Sequence, residues 1–160
     1  MIMSHGVTAR EARLAAYLPD GVEAGYFTHY PVGHAITGFP FVVHTGLEGI
    51  RQRIEQSLRQ NNLTQAQRET GWAMQKTIES CQKYFARYQA KAKELIQTCA
   101  DQRARARMQR IADAMGRLRT EPAGTFYEAV QLVILLQELI LTQTKGSMSL
   151  GRIDRLLYPF

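Results

Sequence analysis

Residues 125–141 read Thr125-Phe-Tyr-Glu-Ala-Val-Gln-Leu-Val-Ile-Leu-Leu-Gln-Glu-Leu-Ile-Leu141, and residues 146–160 read Gly146-Ser-Met-Ser-Leu-Gly-Arg-Ile-Asp-Arg-Leu-Leu-Tyr-Pro-Phe160. Thr125 followed by Glu128 has the spacing of a capping box, which opens a helix by pairing its first free N–H groups. From Ala129 to Leu136 that helix is apolar on all sides, and Leu139, Ile140 and Leu141 continue it. A helix apolar all round belongs inside a large protein. A chain of 160 residues rarely has the bulk to wrap one. The second block breaks the helix with glycine and serine, then runs apolar to Phe160, and it reads as a chain stopped in the middle of a fold.

The residues before this pair are helical back to about Leu47. Ile50, Ile54 and Leu58 repeat at i+4 while Arg51, Arg53, Glu55 and Arg59 face elsewhere, which predicts a helix ended by Asn61 and Asn62. Thr64 with Gln67 forms a second capping box. It opens a long helix to about Cys99 with Trp72, Ile78, Phe85, Tyr88, Leu95 and Ile96 as its apolar set. A third helix, Asp101 to Arg119, carries Met108, Ile111, Met115 and Leu118 on one side and six arginines elsewhere. Glu121-Pro122-Ala123-Gly124 then breaks the chain. Residues 19–46 differ: Pro19, Pro31, Pro40 and several glycines predict loops with at most one short strand. Tyr26, Phe27, Tyr30, Phe39 and Phe41 crowd the same stretch and need a surface to bury against, which the helices behind must supply.

Hydrophobic residues make up 45% of the chain and charged residues 21%, with 20 Lys+Arg against 14 Asp+Glu, a globular composition that excludes wholesale disorder. No apolar run reaches the roughly 20 residues that span a bilayer, and the N-terminus has no basic-then-apolar pattern of a secretory signal. Two cysteines exclude a disulfide-stapled scaffold. A soluble cytoplasmic protein is the expectation.

Single residues carry little chemistry by themselves. Cys81 and Cys99, 18 residues apart, share one helix face and read as buried structural thiols. His29, His34 and His44 lack the further ligands at fixed spacing that a metal needs, so no metal site is expected. His34, between Gly33 and Ala35, is the best single candidate for a polar group facing a substrate pocket. The arginine face of the third helix is interrupted by Asp101, Asp113 and Glu121 and has no interleaved aromatics, which argues against nucleic acid.

The two blocks quoted first resemble the glycyl radical enzymes of the pyruvate formate-lyase-like superfamily. The S-x-x-G-R-x-D-x-x-x-Y-P-[FY] pattern is similar to the branch holding diol dehydratases, choline lyase and arylacetate decarboxylases. Gly33-His34-Ala-Ile-Thr37-Gly-Phe-Pro40, Gly46-Leu-Glu-Gly-Ile50 and the Glu121-Pro122-Ala123 link resemble that family too, so the likeness runs from about Pro31 to Phe160.

The resemblance implies a much larger protein, a barrel of about ten strands wrapped by helices, in which a glycyl radical on one loop activates a cysteine on another. A separate S-adenosylmethionine and iron–sulfur activating enzyme installs the radical. Both loops follow the tyrosine–proline block in family order. The chain is therefore expected to be mainly α, a truncated helical portion of that α/β barrel: a loop-rich segment 1–46, four helices over 47–144 and a barrel-entry segment 145–160. No catalytic residue is expected in it. Ala24-Gly25-Tyr26 echoes the radical loop but stands at the wrong end of the chain and lacks the preceding arginine. His34 stands where the branch has a substrate-facing histidine, and Ser147 where it has a substrate-binding serine. The histidine that precedes that serine in the diol dehydratases is replaced by Gly146, which puts diol dehydration in doubt. Arg152 and Asp154 are expected to form a structural ion pair. Expected partners are a second copy or a complementing chain that carries the cysteine and glycine loops, together with the activating enzyme. The competing expectation is a helical binding protein that docks a partner chain.

Overall fold

The computed structural model describes residues 37–143 and 149–160. Five helices follow in order: α1 (Phe39–Leu58), α2 (Gln65–Thr98), α3 (Gln102–Leu118), α4 (Phe126–Gln143) and the short α5 (Ile153–Leu157). No β-strand element occurs among the described residues, so the chain is mainly α, as expected. Short connections fold α1 onto α2 and α2 onto α3. The 34 residues of α2 extend about 50 Å at 1.5 Å per residue, making it the spine of the bundle.

The caps appear where the sequence put them. Thr64 Oγ1 accepts from the Gln67 N–H at 3.3 Å, and Gln67 Oε1 accepts from the Thr64 N–H at 2.8 Å, closing the predicted box. At α4, Thr125 Oγ1 accepts from the Glu128 N–H at 3.2 Å. The return bond is shifted by one residue, because Glu128 Oε2 accepts from Gly124 N–H at 2.9 Å. Asp101 accepts from the Arg103 N–H at 2.9 Å and starts α3.

The first helix begins at Phe39, eight residues before the expected start at Leu47. Pro40 was the misleading signal. It falls in the first turn, where a missing N–H has no partner to lose. Leu47 is nonetheless a real break, since Gly46 interrupts the helix with φ 71° and ψ 162°. The segment of residues 1–46 read as loop therefore ends in helix from Phe39 onward.

One core joins all five helices. Phe39, Val43 and Leu47 of α1 meet Cys81 and Phe85 of α2, Met115 and Leu118 of α3, Leu132, Val133 and Leu136 of α4, and Leu156 of α5. The apolar set of α2 divides. Phe85 is fully buried, whereas Trp72 (61%), Tyr88 and Leu95 are exposed. The expected α1 stripe of Ile50, Ile54 and Leu58 is half-buried along an open groove, and the buried stripe is Phe39, Val43 and Leu47. In α4, Leu132, Val133, Leu135 and Leu136 are buried, while Phe126 and Ile134 on another face are about half exposed. The all-round apolar character of α4 thus exceeds what this bundle covers.

Candidate functional site

Three separated stretches of sequence meet at the break in α1. Gly46 stands against the link between α3 and α4 so closely that a Cβ there would lie 2.8 Å from Pro122 N and 3.0 Å from Glu121 C. Three residues earlier, the Val43 carbonyl accepts from the Ala123 N–H at 3.2 Å. On the same stretch of α1, His44 stacks on Phe160 with ring centroids 5.9 Å apart and planes 10° from parallel. Gly46-Leu-Glu-Gly-Ile50, Glu121-Pro122-Ala123 and the end of the tyrosine–proline block are therefore one junction in space.

Glu48 fixes this junction from the α1 side. Its carboxylate accepts from Arg51 Nε at 2.9 Å and Nη2 at 2.8 Å, and from Gln52 at 3.1 Å. Gln82 of α2 donates to Glu48 at 3.3 Å and to the Arg119 carbonyl at 2.8 Å, which ties α1, α2 and the end of α3 together. The hydrogen bond from Arg51 is the main reason that the Glu48 carboxyl is held down at about 2. On the far side of the link, Glu128 is 6% exposed, and its buried charge is compensated by Arg117 Nε at 3.3 Å and the Gly124 N–H. Neither Glu48 nor Glu128 stood out in the sequence as a junction residue. The paired glycines around Glu48 were the available signal, and they read as a helix start because the opposing Pro122 is 76 residues away.

The expected ion pair is present. Arg152 Nε and Nη2 donate to Asp154 Oδ1 at 2.9 Å and Oδ2 at 2.6 Å. The arginine holds the Asp154 carboxyl at about 2. Both side chains are solvent-facing, as is Tyr158 at 90% exposure. Gly151, with φ 68°, turns the chain into α5 just before this pair.

His34 and Ser147, the two expected substrate-facing residues, lie outside the described residues, as do Gly146, His29 and Gly25. Cys81 sits buried inside α2, and burial pushes its thiol pKa up, against thiolate formation. Cys99 does not lie in the helix as expected. It caps the C-terminus of α2, with its Sγ 3.6 Å from the Asp101 carbonyl. Among the described residues no three His, Cys, Asp or Glu side chains come together to hold a metal ion. No described helix is long and apolar enough to cross a membrane. The junction is thus a built scaffold rather than a reactive centre.

The family model described as "Pyruvate formate lyase-like" matches residues 5–160. Over 132 residues the chain is 27% identical to "Probable dehydratase YbiW" of Escherichia coli K12, covering 79% of this chain and 16% of that protein. Its fold superposes on a glycyl radical enzyme from Archaeoglobus fulgidus with TM-score 0.75 and 26% identity, over 94% of this chain and 21% of that one. The glycerol-bound B12-independent glycerol dehydratase from Clostridium butyricum gives TM-score 0.77 at 22% identity, over 96% of this chain and 23% of that one. The chain spans about a sixth to a quarter of the length of these relatives.

Proposed function

The chain belongs to the pyruvate formate lyase-like family, and from that premise we propose that it supplies the helical portion of a glycyl radical lyase and is not catalytic alone. The lyase would be a dehydratase, a decarboxylase or a formate C-acetyltransferase-like enzyme. The radical cysteine and glycine loops would come from a complementing chain, with the radical installed by a separate S-adenosylmethionine and iron–sulfur activating enzyme. The observation that carries this reading is the junction. It joins the three family-like motifs into one rigid unit, and no reactive thiol stands within the described residues.

In this reading His34 and Ser147 face the substrate. A serine hydroxyl donates and accepts in one small group, which suits a hydroxyl or carboxylate substrate. Glycine at position 146 points away from diol dehydration toward another bond cleavage.

The test pairs this chain with the product of an adjacent reading frame that carries the two loops, under anaerobic activation, and records the electron paramagnetic resonance spectrum and turnover. The isolated chain is expected to give no glycyl doublet, and the pair to give one. A doublet from the isolated chain at Gly25 would overturn the proposal. In the active pair, His34→Ala and Ser147→Ala each lose a substrate hydrogen bond, worth about 1–3 kcal/mol in a dry pocket. Full turnover by both variants would remove them from the pocket.

A second reading, a helical protein that docks a partner chain without catalysis, is favoured by the exposed apolar side chains Phe126, Ile134, Ile153 and Tyr158 on α4, α5 and the turn after α5. It predicts a stable complex that forms no radical.

A further inference from the structure

Away from the junction, α1 and α2 leave an apolar groove of about 680 Å³ between them. Phe41, Ile50, Ile54 and Leu58 form one wall, and Leu63, Met74 and Ile78 lie on the other. Gly71 lets the helices close at the loop end, since a Cβ there would lie 2.5 Å from a Leu58 methyl group. Toward the start of α1 the groove is open, with Phe41 and Met74 each about half exposed.

The position of this opening matters. Phe41 lies four residues beyond Thr37, where the description of the chain begins, and the Thr37 hydroxyl is buried without a partner. Just upstream, residues 19–36 hold Tyr26, Phe27 and Tyr30, and their only charged residues are Asp20 and Glu23. The rim of the groove carries the complementary charge. The Arg53 guanidinium sits 5.2 Å from the Phe41 ring centroid, and no carboxylate pairs with it among the described residues.

Reach and size point the same way. Eleven residues separate Tyr30 from Phe41 and span up to ~36 Å when extended. The groove from Phe41 to Leu58 is about 26 Å long at helical rise. Two half-exposed side chains fall far short of the roughly 800 Å² per partner of a standard protein interface. Three aromatic rings, each able to bury about 150–250 Å², match a groove of one chain's width.

We propose that this groove is the seat of residues 19–30 of the same chain, with Tyr26, Phe27 and Tyr30 filling it and Asp20 and Glu23 meeting Arg53 at its rim. Tethering supplies the segment at millimolar effective concentration, which a separate partner has to match. The inference stands independently of the enzymatic proposal.

The test uses the full chain with Cys99→Ser, which leaves the buried Cys81. Met74→Cys places a thiol on the groove wall, and Ser80→Cys places one on an exposed face outside it. With the aromatics intact, the Met74→Cys thiol is expected to react with a maleimide at least tenfold more slowly than the Ser80→Cys thiol. Combining it with Tyr26→Ala, Phe27→Ala and Tyr30→Ala should restore the rate. Equal rates with the aromatics present would overturn the proposal. So would protection that survives the triple replacement, or protection that grows with protein concentration and so reports a second copy. If circular dichroism shows that the triple variant has lost helix, Phe27→Cys with Met74→Cys under mild oxidant decides instead. An intramolecular disulfide is expected, and its failure to form would refute the assignment.

Discussion

Replacing Gly46 by alanine puts a methyl group where the backbone of Glu121 and Pro122 already lies. Two costs combine. At φ 71° and ψ 162° the residue is in a region populated almost solely by glycine, where a side chain costs about 1–3 kcal/mol. The added Cβ would also stand 2.8 Å from Pro122 N and 3.0 Å from Pro122 Cα, and neither backbone atom can swing aside as a side chain would. Overpacking of this kind costs about 1–3 kcal/mol. The sum, roughly 2–6 kcal/mol, is a large share of the 5–15 kcal/mol that typically holds a domain together. Gly38→Ala is the control, because its φ is −71° and nothing lies within 4 Å of its Cβ direction, so it should shift stability by less than about 1 kcal/mol. Urea unfolding followed by far-ultraviolet circular dichroism, at one protein concentration, measures both variants. A Gly46→Ala midpoint matching that of Gly38→Ala would show that the close approach of α1 to the Pro122 link does not exist in solution, and the junction would have to be abandoned.

Leu135→Ala should destabilise by about 2–5 kcal/mol in the same assay, since Leu135 is buried on the covered face of α4; Ile134→Ala, on an exposed face, should cost far less. Thr64→Ala removes the acceptor of the α2 capping box and should cost about 1 kcal/mol, with Thr64→Ser recovering most of it. Acid should weaken the fold through Glu48. Its carboxyl is held at about 2 against an ordinary 4.5, so its stabilisation is complete above the ordinary value and lost as pH falls through about 2. Thermal melts from pH 6 to pH 2 should therefore show a steeper decline for the natural chain than for Glu48→Gln, and parallel declines would remove Glu48 as the clamp.

The long helices, their caps and the family were legible in the sequence because each rests on local signals. Thr64 with Gln67 and Thr125 with Glu128 act within one turn, and the block from Gly146 to Phe160 is specific as a string. The start of α1 was misread because Pro40 carries the same local mark in a loop and in a first helical turn. Trp72, Tyr88 and Leu95 looked like core because their spacing fits a helix face, yet neighbouring helices decide which face is covered. Local chemistry thus determined what kind of helix forms and where it is capped. Only the tertiary structure decided that Gly46 meets Pro122, that Glu48 reaches Gln82, and that His44 stacks on Phe160. Those contacts join residues 34 to 116 positions apart, and their energy depends on backbone approach in space, which no spacing along the chain encodes.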